Sequence, residues 1–537
     1  MTGSVAFVLH SHLPWFRRNG TFPVGEEWLF QSWSESYLPL IEMLERLAAD
    51  GHRDLLTLGI TPVLAEQMAD PYLLEEFHGW LGRRLLDLQW TRSAAPAHDK
   101  AALGEVWAHH WTRQTRLLEQ LEDGLLTEGL VAPLARLADA GVIELLGGPA
   151  THPYLPLMDS PDLIRGQIAD GLATAERLFG QRPTGVWTPE CGYRPAGRVA
   201  DPTAPPQHVM PDGTPILRPS EADLPGLEAF WAEAGVDHFV LDGPTLARAA
   251  GAPQRDWSTL ARVMHPVGDP LDVLDGPVWI GDSDVAAFGR NLAVSYAVWN
   301  PHGGYPADEW YRDFHMIDLE GGYKSWRVTD TTSLAKQPYS PDAAAERVRA
   351  HAADFVSLVR SHLDPRPDGA TVVAAYDTEL FGHWWYEGPQ WLEAVLRGLA
   401  DTTVRPTTLR RRLDDRPPTT RLALPESSWG WGKGHAAWVT DETRWIWSAI
   451  REAEARFMDL PDGSSRDAAW RQLVLLQASD WPFMIAREQS PQYAVERVKT
   501  HLARFEQACR GHDLEELADI DDPIGAGVPA AIAPPRG

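Results

Sequence analysis

Residues 371–385 read TVVAAYDTELFGHWW. An apolar, β-branched run ends in two acids and then in broad aromatic rings, the pattern of a buried strand with polar groups at its carboxyl end. Residues two apart on a strand share a face, so Asp377 and Glu379 are expected to point the same way, beside Trp384 and Trp385. Two carboxyl groups in a poorly solvated site raise one another's pKa, which suits acid/base catalysis. A solvated strand end beside a packed tryptophan corner accounts for the same letters.

Similar apolar runs recur upstream: VAFVLH (5–10), DLLTLGI (54–60), VIELLGG (142–148), GVWTPE (185–190), HFVLDG (238–243) and VAAFGRN (285–291). Helical patterns separate them, such as ESYLPLIEMLERLAADG (35–51) and AAERVRAHAADFVSLVRSHL (344–363), with apolar residues at helical spacing. The alternation is the signature of an α/β fold with a largely parallel sheet, either a barrel or an open sheet. A polar helical insert is expected over 92–140. DDRPPTTRLALPESS (414–428) breaks the pattern and reads as a linker. Beyond it, 429–515 reads as a helical domain and 516–537 as a disordered tail.

The formal net charge of −27, with no long basic cluster, argues against nucleic acid and anionic membranes as partners. No apolar run is long enough to cross a bilayer. The opening MTGSVAFVLH lacks the pattern of a secretory signal, and the two cysteines, Cys191 and Cys509, form neither a disulfide framework nor a metal motif. A cytoplasmic location is the expectation. The 24 tryptophans often neighbour glycine, proline, histidine or acids. Flat indoles with one polar N–H suit ligands that are apolar on one face and hydroxylated at the edge, as sugars are.

Several expected strand ends carry polar groups: His10 and His12 in HSHLPW, Glu190 in TPECGY, and Asp377 with Glu379. Parallel α/β sheets place active sites at such ends. The His-x-His pair also resembles the start of a metal-ligand set, with His152, His265 and Asp242 available to extend it. The alternatives for the two histidines are a satisfied core position and hydrogen bonding to ligand hydroxyls.

Taken in order, HSHLPW, ELLGGPATHPYLPLM (144–158), WTPECGYRPAG (187–197), VAAFGRN, VWNPHGGYPADEWYRDFH (298–315), AAYDTELFGHWWYEGP (374–389), SSWGWGKGHAAW (427–438) and LLQASDWPFMI (475–485) resemble glycoside hydrolase family 57, within it the 1,4-α-glucan branching enzymes. The resemblance runs over nearly the whole chain. It implies an incomplete seven-stranded (β/α) barrel over 1–413, with the helical insert and an all-helical C-terminal domain that completes a glucan groove. It implies Glu190 as nucleophile, Asp377 as acid/base, and Glu379 as the holder of a partner or a sugar hydroxyl. His10, His12 and His152 would surround a bound glucose unit, with Arg290 also in the substrate-binding set. Trp28, Trp299, Trp429 and Trp438 would line the groove and Asp480 would enter from the helical domain; any of these indoles is otherwise core, and Asp480 otherwise a helix cap. Cys191 reads as packing. Neither metal nor organic cofactor is implied, and the partner is an α-glucan.

The sequence departs from the family pattern in two places. Residues 251–274 contain no tyrosine where these enzymes carry a tyrosine-bearing loop, and 199–219 look expanded. Both bear on acceptor entry and water exclusion. The rival expectations are an α-1,4-glucan hydrolase or 4-α-glucanotransferase on the same scaffold, a metal-dependent hydrolase using His10 and His12, and a catalytically weak glucan-binding protein.

Overall fold

The computed structural model describes the chain except for residues 1–2, 212, 253–266, 301–302, 318–321, 331, 513, 521–528, 530–531 and 533–537. Seven strands form the barrel: β1 Gly3–Ser11, β2 Leu56–Ile60, β3 Ile143–Leu146, β4 Gly185–Trp187, β5 His238–Leu241, β6 Ala286–Gly289 and β7 Ala370–Asp377. Parallel pairing runs β7-β1-β2-β3 in one sheet and β4-β5-β6 in another. A single parallel bridge, Gly147 with Val186, joins β3 to β4. On the other side, Asn291 N–H donates to the Val373 carbonyl at 2.8 Å, just beyond the end of β6. The barrel is thus closed by a bridge and a hydrogen bond where full ladders would otherwise run.

Strand periodicity decides what lies inside. Ala6 and Val8 of β1, Val240 of β5, Ala286 and Phe288 of β6, and Val373 and Ala375 of β7 pack together with Trp187, Leu146, Leu409 and Leu413. The alternate residues Val5, Phe7, Leu9, Val372, Ala374 and Tyr376 pack outward beneath the surrounding helices. Continuing the inner series by two residues reaches His10 on β1 and Asp377 on β7.

The helical insert begins earlier than the expected residue 92. Helices Pro71–Ala94 and Ala97–Gln120 precede Val131–Asp139, because Asp70 accepts from Leu73 N–H at 3.0 Å and Pro71 suits a first turn. The expected linker is held at several points. Its first two residues close helix Leu409–Asp415. Arg421–Leu422 then pair with Val278–Ile280, and Ser427 bridges Tyr193.

Helices Arg444–Met458, Ser464–Leu476, Asp480–Ala486 and Pro491–Cys509 build the C-terminal region. Of the expected disordered tail, helix Leu514–Ile520 is ordered in part of the span and Ile532 is buried. Gly166 leaves room for Ile532 against Trp470, since a Cβ there would stand 2.5 Å from the isoleucine Cδ1. The expanded segment forms two antiparallel pairs, Gly197–Asp201 with Arg218–Leu224 and His208–Val209 with Pro215–Ile216. Its turn residue Thr214 lies against Gly432, whose φ of +67° and lack of a Cβ permit the approach.

Candidate active site

Glu190 follows β4 in a tight turn. Its backbone sits at φ +60°, and Cys191 and His152 are also left-handed, at +47° and +57°. Non-glycine residues persist there only when their surroundings hold them, and here they do. Trp429 Nε1 donates to Glu190 Oε2 at 2.7 Å and Ser479 Oγ to Oε1 at 3.0 Å. The Trp429 N–H also donates to the Glu190 carbonyl at 3.0 Å. Burial raises the Glu190 pKa, with Asp480 adding to the rise, while the two side-chain donors and nearby His12 work against it.

Asp377 is the opposite case. No donor among the described residues reaches its carboxyl. Burial lifts its pKa well above the usual carboxylate range, with the charges of Glu379 and Glu190 pushing the same way and Arg290 opposing. One carboxylate is clamped by donors and the other is left unsolvated beside like charges, which is how a site assigns base and acid to the same residue type. Glu379 is raised to about 7 by burial, against a hydrogen bond from Tyr37 Oη. It also accepts from His12 N–H at 3.2 Å.

The three histidines lie together at the barrel mouth. His10 Nε2 lies 3.2 Å from His152 Nε2, and the His12 and His152 rings stack with centroids 3.9 Å apart. His10 lies flat on Trp187, 4.5 Å between centroids at 9°. His12 Nε2 meets Asp480 at 3.0 Å and its Nδ1 meets Thr61 Oγ1 at 3.0 Å. Burial is the largest influence and disfavours the His12 charge, but Asp480, Glu190 and Glu379 together prevail and the pKa rises. His10 and His152 fall well below 6.5 through burial and the charge of His12. Of the three, His12 is the one whose surroundings favour the charged form.

Asp480 opens helix Asp480–Ala486. Ser479 N–H donates to the His152 carbonyl at 3.1 Å and Pro153 bridges Ala478, so the helical region carries Ser479 and Asp480 into the barrel mouth. Arg290 forks onto the fully buried Asp242 at 2.8 and 3.1 Å, and Lys433 Nζ takes the other carboxylate oxygen at 2.8 Å. Both oxygens of this earlier metal-ligand candidate are thus occupied. The Arg290 guanidinium also lies 5.8 Å from the Trp429 ring centroid. His265 lies outside the described residues.

The tryptophans divide. Trp429 stands in the site as the donor to Glu190. Trp28 is half-buried, edge-on to Phe16 at 6.1 Å. Trp299 is 41% exposed and meets Trp384 at 5.8 Å. Trp438 corrects the groove expectation: it is fully buried, stacked on Tyr154 at 4.2 Å, so its faces are core. Trp431, two residues from Trp429, is 66% exposed.

Ser479 and Tyr37 were missed in the sequence. Ser479 stands beside Asp480 in ASDWPF and only the fold brings it to Glu190, 289 residues away. Tyr37 lies in a helix that shows no outward mark of a site.

The model of glycosyl hydrolase family 57 matches residues 6–417, and that of the 1,4-alpha-glucan branching enzyme C-terminal region matches 449–518. The chain belongs to glycosyl hydrolase family 57. A curated relative, the 1,4-alpha-glucan branching enzyme of Thermococcus kodakarensis, is 36% identical over 98% of this chain and 78% of its own length. The crystal structure of a GH57 branching enzyme from Thermococcus kodakaraensis, in complex with glucose, superposes with a TM-score of 0.86 at 34% identity, covering 100% of this chain and 98% of that one. The alpha-amylase AmyC of Thermotoga maritima shares the fold, with a TM-score of 0.78 at 24% identity over 99% of each chain.

Proposed function

We propose that this family 57 chain is a 1,4-α-glucan branching enzyme working by retaining double displacement. The observation that carries the chemistry is the asymmetry of its carboxyl groups: among the described residues, Glu190 is held by two side-chain donors and Asp377 by none. Ionised Glu190 attacks the anomeric carbon of an α-1,4-linked glucose unit while protonated Asp377 gives its proton to the departing 4-oxygen. The C1–O4 bond breaks and a glycosyl ester forms on Glu190. Asp377, now ionised, takes the proton of an incoming 6-hydroxyl. That oxygen attacks C1 and releases Glu190, leaving an α-1,6 branch and restoring both groups.

His10, His12 and His152 hydrogen-bond sugar hydroxyls in this reading, and the charge on His12 offsets the buried acids around it. Glu379, fixed by Tyr37 and the His12 N–H, orients a hydroxyl and keeps the Asp377 pKa high. Trp28, Trp299 and the exposed Trp431 are stacking faces for the glucan chain. No helix among the described residues is long and apolar enough to cross a membrane. A cytoplasmic role on a glycogen-like polysaccharide is the setting proposed for it.

Hydrolysis is the second reading, favoured by one observation: residues 251–274 contain no tyrosine. Transfer defeats water only if the acceptor is positioned while water is held off. Amylose treated with the enzyme and then digested by an α-1,6-specific debranching enzyme separates the two. Short chains released only after debranching support branching; a product that debranching leaves unchanged removes it.

A further inference from the structure

A cavity of about 310 Å³ lies between the two long insert helices, the π-helical turn Trp33–Tyr37 and residues 322–324. Among the described residues its charged walls are Arg84, Arg113, Arg312 and Lys324 against Glu27 and Glu35, an excess of cations on a chain whose net charge is −27. Both acids already have partners. Glu27 accepts from Trp80 Nε1 at 2.7 Å; Glu35 takes Arg312 at 2.9 Å, His383 at 2.8 Å and Lys324 at 3.6 Å.

The cations retain unused donors. Among the described residues Arg84 Nε and Arg312 Nε are buried atoms with no hydrogen-bond partner, and the buried Lys324 Nζ has Glu35 at 3.6 Å. His110, 3% exposed, presents on the same wall an Nε2 with no hydrogen-bond partner among the described residues. Buried donors left unsatisfied are costly, and four cations against two acids leave an excess of positive charge that a further anion would offset.

Aromatic rings hold this arrangement in place. Arg113 and Arg312 lie 4.6 and 3.9 Å from the Tyr386 centroid, and Arg84 lies 3.9 Å from that of Tyr323. Guanidinium groups stacked on rings are pre-oriented for phosphate oxygens, and the ring faces suit a sugar body.

We propose that this cavity binds a phosphorylated monosaccharide, with the phosphate monoester among Arg84, Arg113, Arg312 and Lys324 and the sugar ring against the aromatic wall. Charge selects the dianion and the volume limits the body to about one hexose. Nothing in the reaction at Glu190 uses these groups, so the site is regulatory. Its connection to the active site is short. Glu35 shares one five-residue turn with Tyr37, which donates to Glu379. His383, bonded to Glu35, follows Glu379 by four residues. Gly382 lets that segment close on the turn, since a Cβ there would collide with the Glu35 carbonyl. A phosphate that draws Arg312 and Lys324 from Glu35 alters the turn that positions Glu379.

Titration calorimetry on the full chain in low-salt, phosphate-free buffer tests this, with glucose 6-phosphate, inorganic phosphate and glucose as separate probes. Glucose 6-phosphate is expected to bind more tightly than inorganic phosphate. Arg84→Gln and Lys324→Gln are each expected to weaken glucose 6-phosphate by about tenfold or more, and Arg84→Gln, which leaves the Arg312, Lys324 and His383 contacts of Glu35 in place, to leave the Tm, the ligand-free rate and the affinity for glucose unchanged. Binding of glucose 6-phosphate that is absent, matched by inorganic phosphate, or untouched by both substitutions would overturn the proposal, whatever linkage the enzyme forms at Glu190.

Discussion

His10 and Asp377 are register partners across the pairing of β1 with β7. Each is the next member of an inward-facing series, after Ala6 and Val8 on one strand and Val373 and Ala375 on the other. The ladder thus fixes, beside the proposed proton donor, an imidazole whose pKa is lowered, and a one-residue slip of either strand would turn its own residue away from the barrel.

Asp377→Asn follows directly. An amide cannot protonate the departing oxygen, so turnover of natural glucan should fall by several orders of magnitude. An aryl glucoside with a good leaving group needs little protonation and should keep most of its first-step rate, read as the burst of released phenol. Equal losses on both substrates would move the acid role to Glu379.

Glu379 gives a prediction of sign. Its charge is one of the causes that raise the Asp377 pKa, second to burial. Glu379→Gln removes that charge, so Asp377 should lose its proton at lower pH. The basic limb of the kcat profile should shift downward, while Tm stays within a few degrees. A limb that stays fixed would show that another group controls it.

The two site-region tryptophans should separate in their effects. Trp429→Phe removes a donor to a carboxylate and should lower kcat by about tenfold to a hundredfold, with little change in stability. Trp438→Ala should cost about 3–5 kcal/mol of folding stability, measured by denaturant unfolding, because its ring is core. Unchanged stability in the Trp438 variant would return that residue to the groove.

Away from the mouth, His238 begins β5 between Glu144 at 2.8 Å and Asp237 at 2.6 Å. Burial opposes its charge, but attraction to the two acids prevails and raises its pKa to about 9. Its folded pKa lies above its unfolded value near 6.5, so the stability it contributes is full below that value and is lost as pH rises through about 9. The loss should amount to a few kcal/mol. His238→Gln should flatten the decline in that window; the same slope in variant and wild type would refute the assignment.

Period-two patterning made the barrel strands readable, and both proposed catalytic acids sit where such strands end. Ser479, Tyr37 and the Arg290–Asp242–Lys433 cluster were not readable as groups. Their partners lie far away along the chain, and a serine in a turn or a tyrosine in a helix looks the same whether or not it faces a site. Trp438 was misplaced because the letter does not say which way an indole turns. The start of the insert was misplaced because residues 71–91 already carry a helical pattern of mixed polarity. The loop expected to hold a tyrosine falls largely on 253–266, outside the described residues.

Branching itself is tested most directly by the linkage of the product. Purified enzyme acting on amylose should produce an α-1,6 anomeric signal in proton NMR that grows from the earliest time points, with iodine staining falling and reducing ends rising far more slowly than branches. Reducing ends that accumulate in step with cleavage, with no α-1,6 signal, would contradict the account and make the chain a hydrolase.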